Sequence, residues 1–277
     1  MIDPAGTLDV NGVELSFASS GHGPGPALVL CHGYTGSSHD FSLQVDALAE
    51  HRRVITLDLR GHGHSTKTGD ASTYTIAQLT DDLAAFIAAV GGGPVDLLGH
   101  SMGGRISLGV VLARPDLVRS LVLMDTSAWS FRPIDPAVEK LMGDFLDAFD
   151  PSGGVPRGFT MAGPEDALIE AATTAAWRQE KDELLWGTDA YAVKALGLAL
   201  LDDGVQSVRA DLGTITVPVT VIVGSNDHPF IDQAPQLVAE LPSGRLDVIG
   251  GAYHSPQLTH PAQWRSAIEA HLAPLGS

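Results

Sequence analysis

The chain has 277 residues, is 44% hydrophobic, and sets 16 basic against 33 acidic residues for a net charge of −17. A balance this acidic predicts no nucleic-acid partner and no adhesion to an anionic membrane, because both need clustered Lys and Arg. A single cysteine, Cys31, excludes an internal disulfide; its apolar surroundings read as those of a buried hydrophobe rather than a nucleophile. No basic stretch followed by an apolar run opens the sequence, and no apolar run reaches spanning length, so a soluble, cytoplasmic protein is expected.

The first predicted elements are strands at 7–10 and 13–18, flanking Asn11-Gly12, a strong hairpin signal. Short apolar runs at 27–31, 54–58, 95–98, 121–124, 219–223 and 246–249 then alternate with helix-period segments. In residues 76–90, for instance, Ile76, Leu79, Leu83, Phe86, Ile87 and Val90 share one helical face. Alternating strands and helices predict an α/β fold with a mostly parallel sheet, helices on both sides, and function at the loops leaving the strands' carboxyl ends.

The alternation breaks across 128–213. That stretch shows no strand signal and is punctuated by Pro133, Pro136, Pro151, Pro164 and Gly187. It reads as an inserted helical cap (128–213) on a core domain formed by 1–127 and 214–277. Its aromatics, Trp129, Trp177, Trp186, Phe131, Phe145, Phe149 and Phe159, either pack a small core of their own or line a pocket over the sheet edge.

One joint carries chemistry. Gly99-His100-Ser101-Met102-Gly103 fits Gly-x-Ser-x-Gly between a strand and a helix, the context in which a nucleophilic serine is held in a tight turn. Strain there keeps the hydroxyl clear of the sheet, and the following helix aims its first N–H groups at any developing negative charge. Serine needs a base. His254 follows the last strand, at the same sheet edge. Asp227, after the preceding strand, is the acid placed to orient it; Asp125, after the strand at 121–124, competes but ranks behind. An oxyanion needs donors as well. The Met102 N–H supplies one and the Tyr34 N–H, after His32-Gly33, the second.

"HGYTGSS" (from His32), "DLRGHGHS" (from Asp58), "GHSMGG" (from Gly99), "GSNDHP" (from Gly224) and "GGAYHSP" (from Gly250) occur in this order, each beside its strand. With them the sequence resembles the α/β-hydrolase fold superfamily over nearly its whole length. Tyr253-His254 replaces the Gly-His common there. The resemblance implies a serine carboxylesterase with a Ser101-His254-Asp227 triad, no metal and no organic cofactor, acting on small alkyl or aryl esters, monoesters or lactones. It makes His62 and His64 part of a structural loop rather than a metal pair, gives His100 a packing role, and sets His32 under the oxyanion loop. "GHSMGGR" also resembles the menaquinone-pathway synthase, through Arg105, and C–C bond hydrolases use the same triad. A non-catalytic relative that only binds ligand would not need all three residues. Arg105, Arg132, Arg157 and Arg178 are candidate partners for a substrate carboxylate, against the plainer reading of surface charge.

Overall fold

The computed structural model describes residues 6–131, 136, 140, 142–144, 146, 149–157, 163–202 and 209–276. β1 (Gly6–Val10) and β2 (Val13–Ser20) form the expected hairpin. Asn11 and Gly12 have φ of 49° and 80°, and two positive values give the tight turn whose twist matches paired strands.

β3 (Leu28–Cys31), β4 (Val54–Leu57), β5 (Val95–His100), β6 (Val118–Met124), β7 (Val219–Gly224) and β8 (Gly244–Ile249) follow. They join the hairpin in one eight-stranded sheet of order β1-β2-β4-β3-β5-β6-β7-β8. β2 meets β4 antiparallel, and from β4 to β8 every pairing is parallel. β3, β4, β5 and β7 are buried along their whole length, as strands covered on both faces must be. β6 begins three residues before the apolar run that signals it. Its early polar residues are satisfied inside: Arg119 and Ser120 each donate to the Asp96 carboxylate, at 2.6 Å.

Helices among the described residues include α1 (Val45–Leu48), α2 (Ile76–Val90), α3 (Met102–Ala113), α4 (Asp166–Ala172), α5 (Ala175–Trp186), α6 (Ala190–Leu201), α7 (Phe230–Glu240), α8 (Pro256–Thr259) and α9 (Pro261–Leu272). α2 spans the predicted residues, capped by the Thr75 hydroxyl accepting from the Gln78 N–H. Leu79, Leu83, Phe86, Ile106 and Leu237, from α2, α3 and α7, pack on one sheet face. Trp264, Ile268 and Leu272 of α9 cover the other, with Phe41.

Between β6 and β7 the described residues contain helices and no strand. This segment is bound to the sheet loops at several points. Trp177 Nε1 donates to Ser42 Oγ at 2.8 Å, and the Trp177 ring stacks on His39 at 4.6 Å. Lys181 pairs with Asp40 at 2.6 Å. Asp189 accepts from Tyr74 Oη at 2.6 Å and from the Gly69 N–H at 2.7 Å, and its own N–H donates to the Gly61 carbonyl at 2.8 Å. The segment's aromatics are divided accordingly. Trp177 docks on the loop after β3, Trp186 packs with Phe149, Val155, Ala190 and Val193, and Phe131 meets Phe230 edge-on at 4.9 Å. Arg132, Pro133, Phe145 and Phe159 lie outside the described residues. No single helix among the described residues is long and apolar enough to cross a membrane.

Candidate active site

Ser101 sits between β5 and α3 with φ 54° and ψ −121°, a conformation that costs a non-glycine residue roughly 1–3 kcal/mol. The surroundings enforce it. Its N–H donates to the Met124 carbonyl at 2.9 Å, and its carbonyl accepts from Thr126 Oγ1 at 2.6 Å and from the Gly104 N–H at 2.9 Å. Helix and strand cross here at a spacing only glycine allows. A Cβ on Gly99 would stand 2.5 Å from Ser107 Oγ, and one on Gly103 would stand 2.5 Å from the Cys31 carbonyl oxygen.

The loop after β3 reaches over this turn. A Cβ on Gly33 would lie 3.0 Å from Ser101 Cβ, so Gly33 packs directly against the serine. His32 holds the loop from beneath: its Nε2 accepts the Leu59 N–H at 2.9 Å and its Nδ1–H donates to the Gly33 carbonyl at 2.8 Å. Burial lowers its pKa, and both bonds need the neutral ring. The Tyr34 side chain turns away to donate to the Val193 carbonyl at 2.6 Å, packing on α6. Neither the Tyr34 nor the Met102 N–H has a protein acceptor among the described residues. Met102 directly follows Ser101, and Tyr34 follows Gly33, which packs on Ser101.

His254 and Asp227 meet at the same edge, Nδ1 to Oδ2 at 2.8 Å. Asp227 follows β7 and His254 follows β8, and the parallel pairing of those strands brings the two loops together. Nδ1 carries the proton toward the carboxylate, which leaves Nε2 with its lone pair. The imidazole packs against two rings, His100 at 4.8 Å and Phe230 at 5.2 Å. Burial opposes charge on His254, but the Asp227 carboxylate and its hydrogen bond, together with Glu165, leave the pKa above the usual value. No hydrogen bond joins Ser101 Oγ to His254 Nε2 here; such bonds commonly tighten only in the substrate complex.

His100 does more than pack. Its Nε2–H donates to the His254 carbonyl at 2.8 Å, and burial holds its pKa down at about 3, so the ring stays neutral. Asp125 is fully buried at φ 46°, accepts the Gly224 N–H at 2.8 Å, and sets its carboxyl next to that of Asp227. It lies behind the acid rather than in its place.

Two groups that sequence reasoning weighed have structural partners. His62 is buried with Nδ1 on the Arg60 carbonyl at 2.9 Å, while His64 is exposed, so the His-x-His pair does not converge. Arg105 is 3% exposed, donates from Nε to the Ser127 carbonyl at 2.9 Å and lies over Phe131. Arg157 lies over Trp186, and Arg178 binds the Thr173 carbonyl at 2.8 Å.

One neighbour of the site has no signal in the sequence. Glu165, just before α4, accepts from both the N–H and the hydroxyl of Ser255, at 3.0 and 2.9 Å. Locally it reads only as the start of a helix.

The family model for the alpha/beta hydrolase fold matches residues 26–261. The chain is similar to an (E)-2-((N-methylformamido)methylene)succinate hydrolase of Acinetobacter baylyi, 29% identical over 90% of this chain and 91% of that one. It is 28% identical to a pimeloyl-(acyl-carrier protein) methyl ester esterase of Aeromonas hydrophila, over 89% and 95% of the two chains. A solved hydrolase structure from Pseudomonas aeruginosa is similar with a TM-score of 0.77, 26% identity and 98% of both chains covered.

Proposed function

Because this chain belongs to the alpha/beta hydrolase fold family, we propose that it is a serine hydrolase of small carboxylic esters or lactones, with Ser101, His254 and Asp227 as its triad. The observation that carries the reading is the pairing of a strained Ser101 at the head of α3 with a His254–Asp227 hydrogen bond at the same sheet edge. His254 Nε2 takes the hydroxyl proton as Ser101 Oγ attacks the ester carbonyl. The Tyr34 and Met102 N–H groups receive the oxyanion. Collapse returns the proton to the leaving alcohol and leaves an acyl-Ser101. Water, deprotonated by His254, then releases the acid. Asp227 holds the Nδ1–H tautomer throughout. None of these steps uses a metal or an organic cofactor.

The segment between β6 and β7 serves in this reading as a cap, with its Phe131 packed on Phe230 of α7, which in turn stacks on His254. Arg105, the residue behind the likeness to the synthase, directs Nε to a scaffold carbonyl, which favours ester hydrolysis over recognition of a carboxylate.

The test is turnover of p-nitrophenyl esters of graded chain length by the wild type and by Ser101→Ala. Hydrolysis abolished in the variant is the expected result. No turnover by the wild type across esters and lactones, or equal turnover by both proteins, overturns the proposal. Activity confined to C–C cleavage substrates or to the pyruvate-eliminating reaction moves the chain to those branches.

A further inference from the structure

The peptide unit joining His254 to Ser255 is gripped at both ends. Its carbonyl accepts from His100 Nε2 at 2.8 Å and its N–H donates to Glu165 at 3.0 Å. The second Glu165 oxygen takes the Ser255 hydroxyl at 2.9 Å. His100 ends β5, in the middle of the sheet. Glu165 comes from the segment between β6 and β7. We propose that Glu165 is a positioning residue for His254, fixing the backbone that carries the imidazole and placing a second carboxylate beside it; this rests on the role assigned to His254 above.

The chemistry follows from what faces the ring. Asp227 approaches from the loop after β7, with Asp125 behind it, and His100 from the end of β5, while Lys181 of α5, paired with Asp40, acts on the ring only through its charge. Asp227 and Glu165 both favour the imidazolium, whereas Lys181 opposes it. Positive charge on the ring grows as His254 takes the serine proton, so a second carboxylate stabilises the charged side of that step more than the resting side. Burial lifts the Glu165 carboxyl above its ordinary range, opposed by the His254 charge and by the two Ser255 hydrogen bonds.

The arrangement separates two effects. Glu165→Gln keeps an oxygen to accept from Ser255 and loses the charge. Glu165→Ala loses both. The readout that does not depend on any substrate is the His254 imidazole titration by NMR, with its signals assigned by their loss in His254→Gln. Glu165→Gln is expected to lower the His254 midpoint and, where ester turnover is measured, to move the acidic limb of kcat/KM down with it. Glu165→Ala is expected also to lower plateau kcat, by about tenfold, through misplacement of the ring. Glu170→Gln, at an exposed carboxylate on α4, is the control and leaves the midpoint in place. A His254 midpoint unchanged in Glu165→Gln overturns the proposal. If the wild type hydrolyses no ester, the functional reading falls while the titration still decides the part played by Glu165.

Discussion

Asp125 and Asp227, from neighbouring loops, meet carboxyl to carboxyl, with Asp125 wholly out of solvent and Asp227 7% exposed. Asp125 Oδ2 has no donor beside it, so the contact becomes a hydrogen bond only when the pair holds a proton, and full burial favours placing that proton on Asp125. Burial, and then the charge of Asp227, raise the Asp125 pKa well above the ordinary carboxylate value.

That pair makes stability depend on pH in a definite direction. An acid whose folded pKa exceeds its unfolded one leaves the fold unpenalised below the unfolded value, about 4. As pH climbs toward the folded value, the unfolded chain ionises and the native state must withhold a proton, so stability falls. Asp125→Asn keeps an acceptor for Gly224 and a donor for Asp227 without a proton to lose. Its melting temperature should match that of the wild type at or below the unfolded carboxylate pKa, about 4, and exceed it increasingly as pH rises from there toward the raised folded value. A difference independent of pH would refute the protonated Asp125.

The strain at Ser101 gives a stability test of its own. Ser101→Gly accepts φ 54° freely and should gain about 1 kcal/mol, near 2 °C in melting temperature, while losing ester turnover. Ser101→Ala keeps a Cβ at the same φ and should be inactive without the gain. Equal melting of the two variants would show that the turn stores no strain.

Gly103→Ala tests the crossing of helix and strand. Its Cβ would lie 2.5 Å from the Cys31 carbonyl and collide with that of His32, and both are backbone atoms at the end of a central strand. Overpacking against parts that cannot yield should cost about 3 kcal/mol or more. Gly213→Ala, where nothing lies within 4 Å, should stay within about 0.5 kcal/mol of wild type by urea denaturation.

The pH dependence of hydrolysis reads His254. General-base action needs the neutral ring, so kcat/KM falls as pH drops through its pKa, which Asp227, with Glu165, holds above 6.5 against burial. The acidic limb should therefore lie above 6.5 in the wild type and move down in Asp227→Asn. There kcat should also fall by roughly 10³–10⁴ as the tautomer is lost. A limb unmoved by that change would assign the base elsewhere.

The hairpin and α2 were legible from local pattern alone, because Asn11-Gly12 and a clean helical stripe each act within a few residues. β6 was legible only from Leu121 on, since Arg119 and Ser120 look like loop residues until Asp96 is known to lie beside them. The ordering of Ser101, Asp227 and His254 along one sheet edge was readable from strand succession. The grip of His100 on the His254 carbonyl was not, because a backbone oxygen leaves no trace in a sequence. Glu165 was invisible for a related reason: it is one of 33 acidic residues, distinguished only by where the segment between β6 and β7 comes down.

β8 is the last strand of the sheet and pairs on one side alone, with β7. Rim strands open first in the local fluctuations of a native protein, and whatever hangs from them inherits that looseness. His254 hangs from this one, yet its carbonyl is tied to His100 on β5, three strands inward. Amide exchange across β8 can thus run faster than in the sheet centre while the imidazole itself stays registered to the strand that carries the serine.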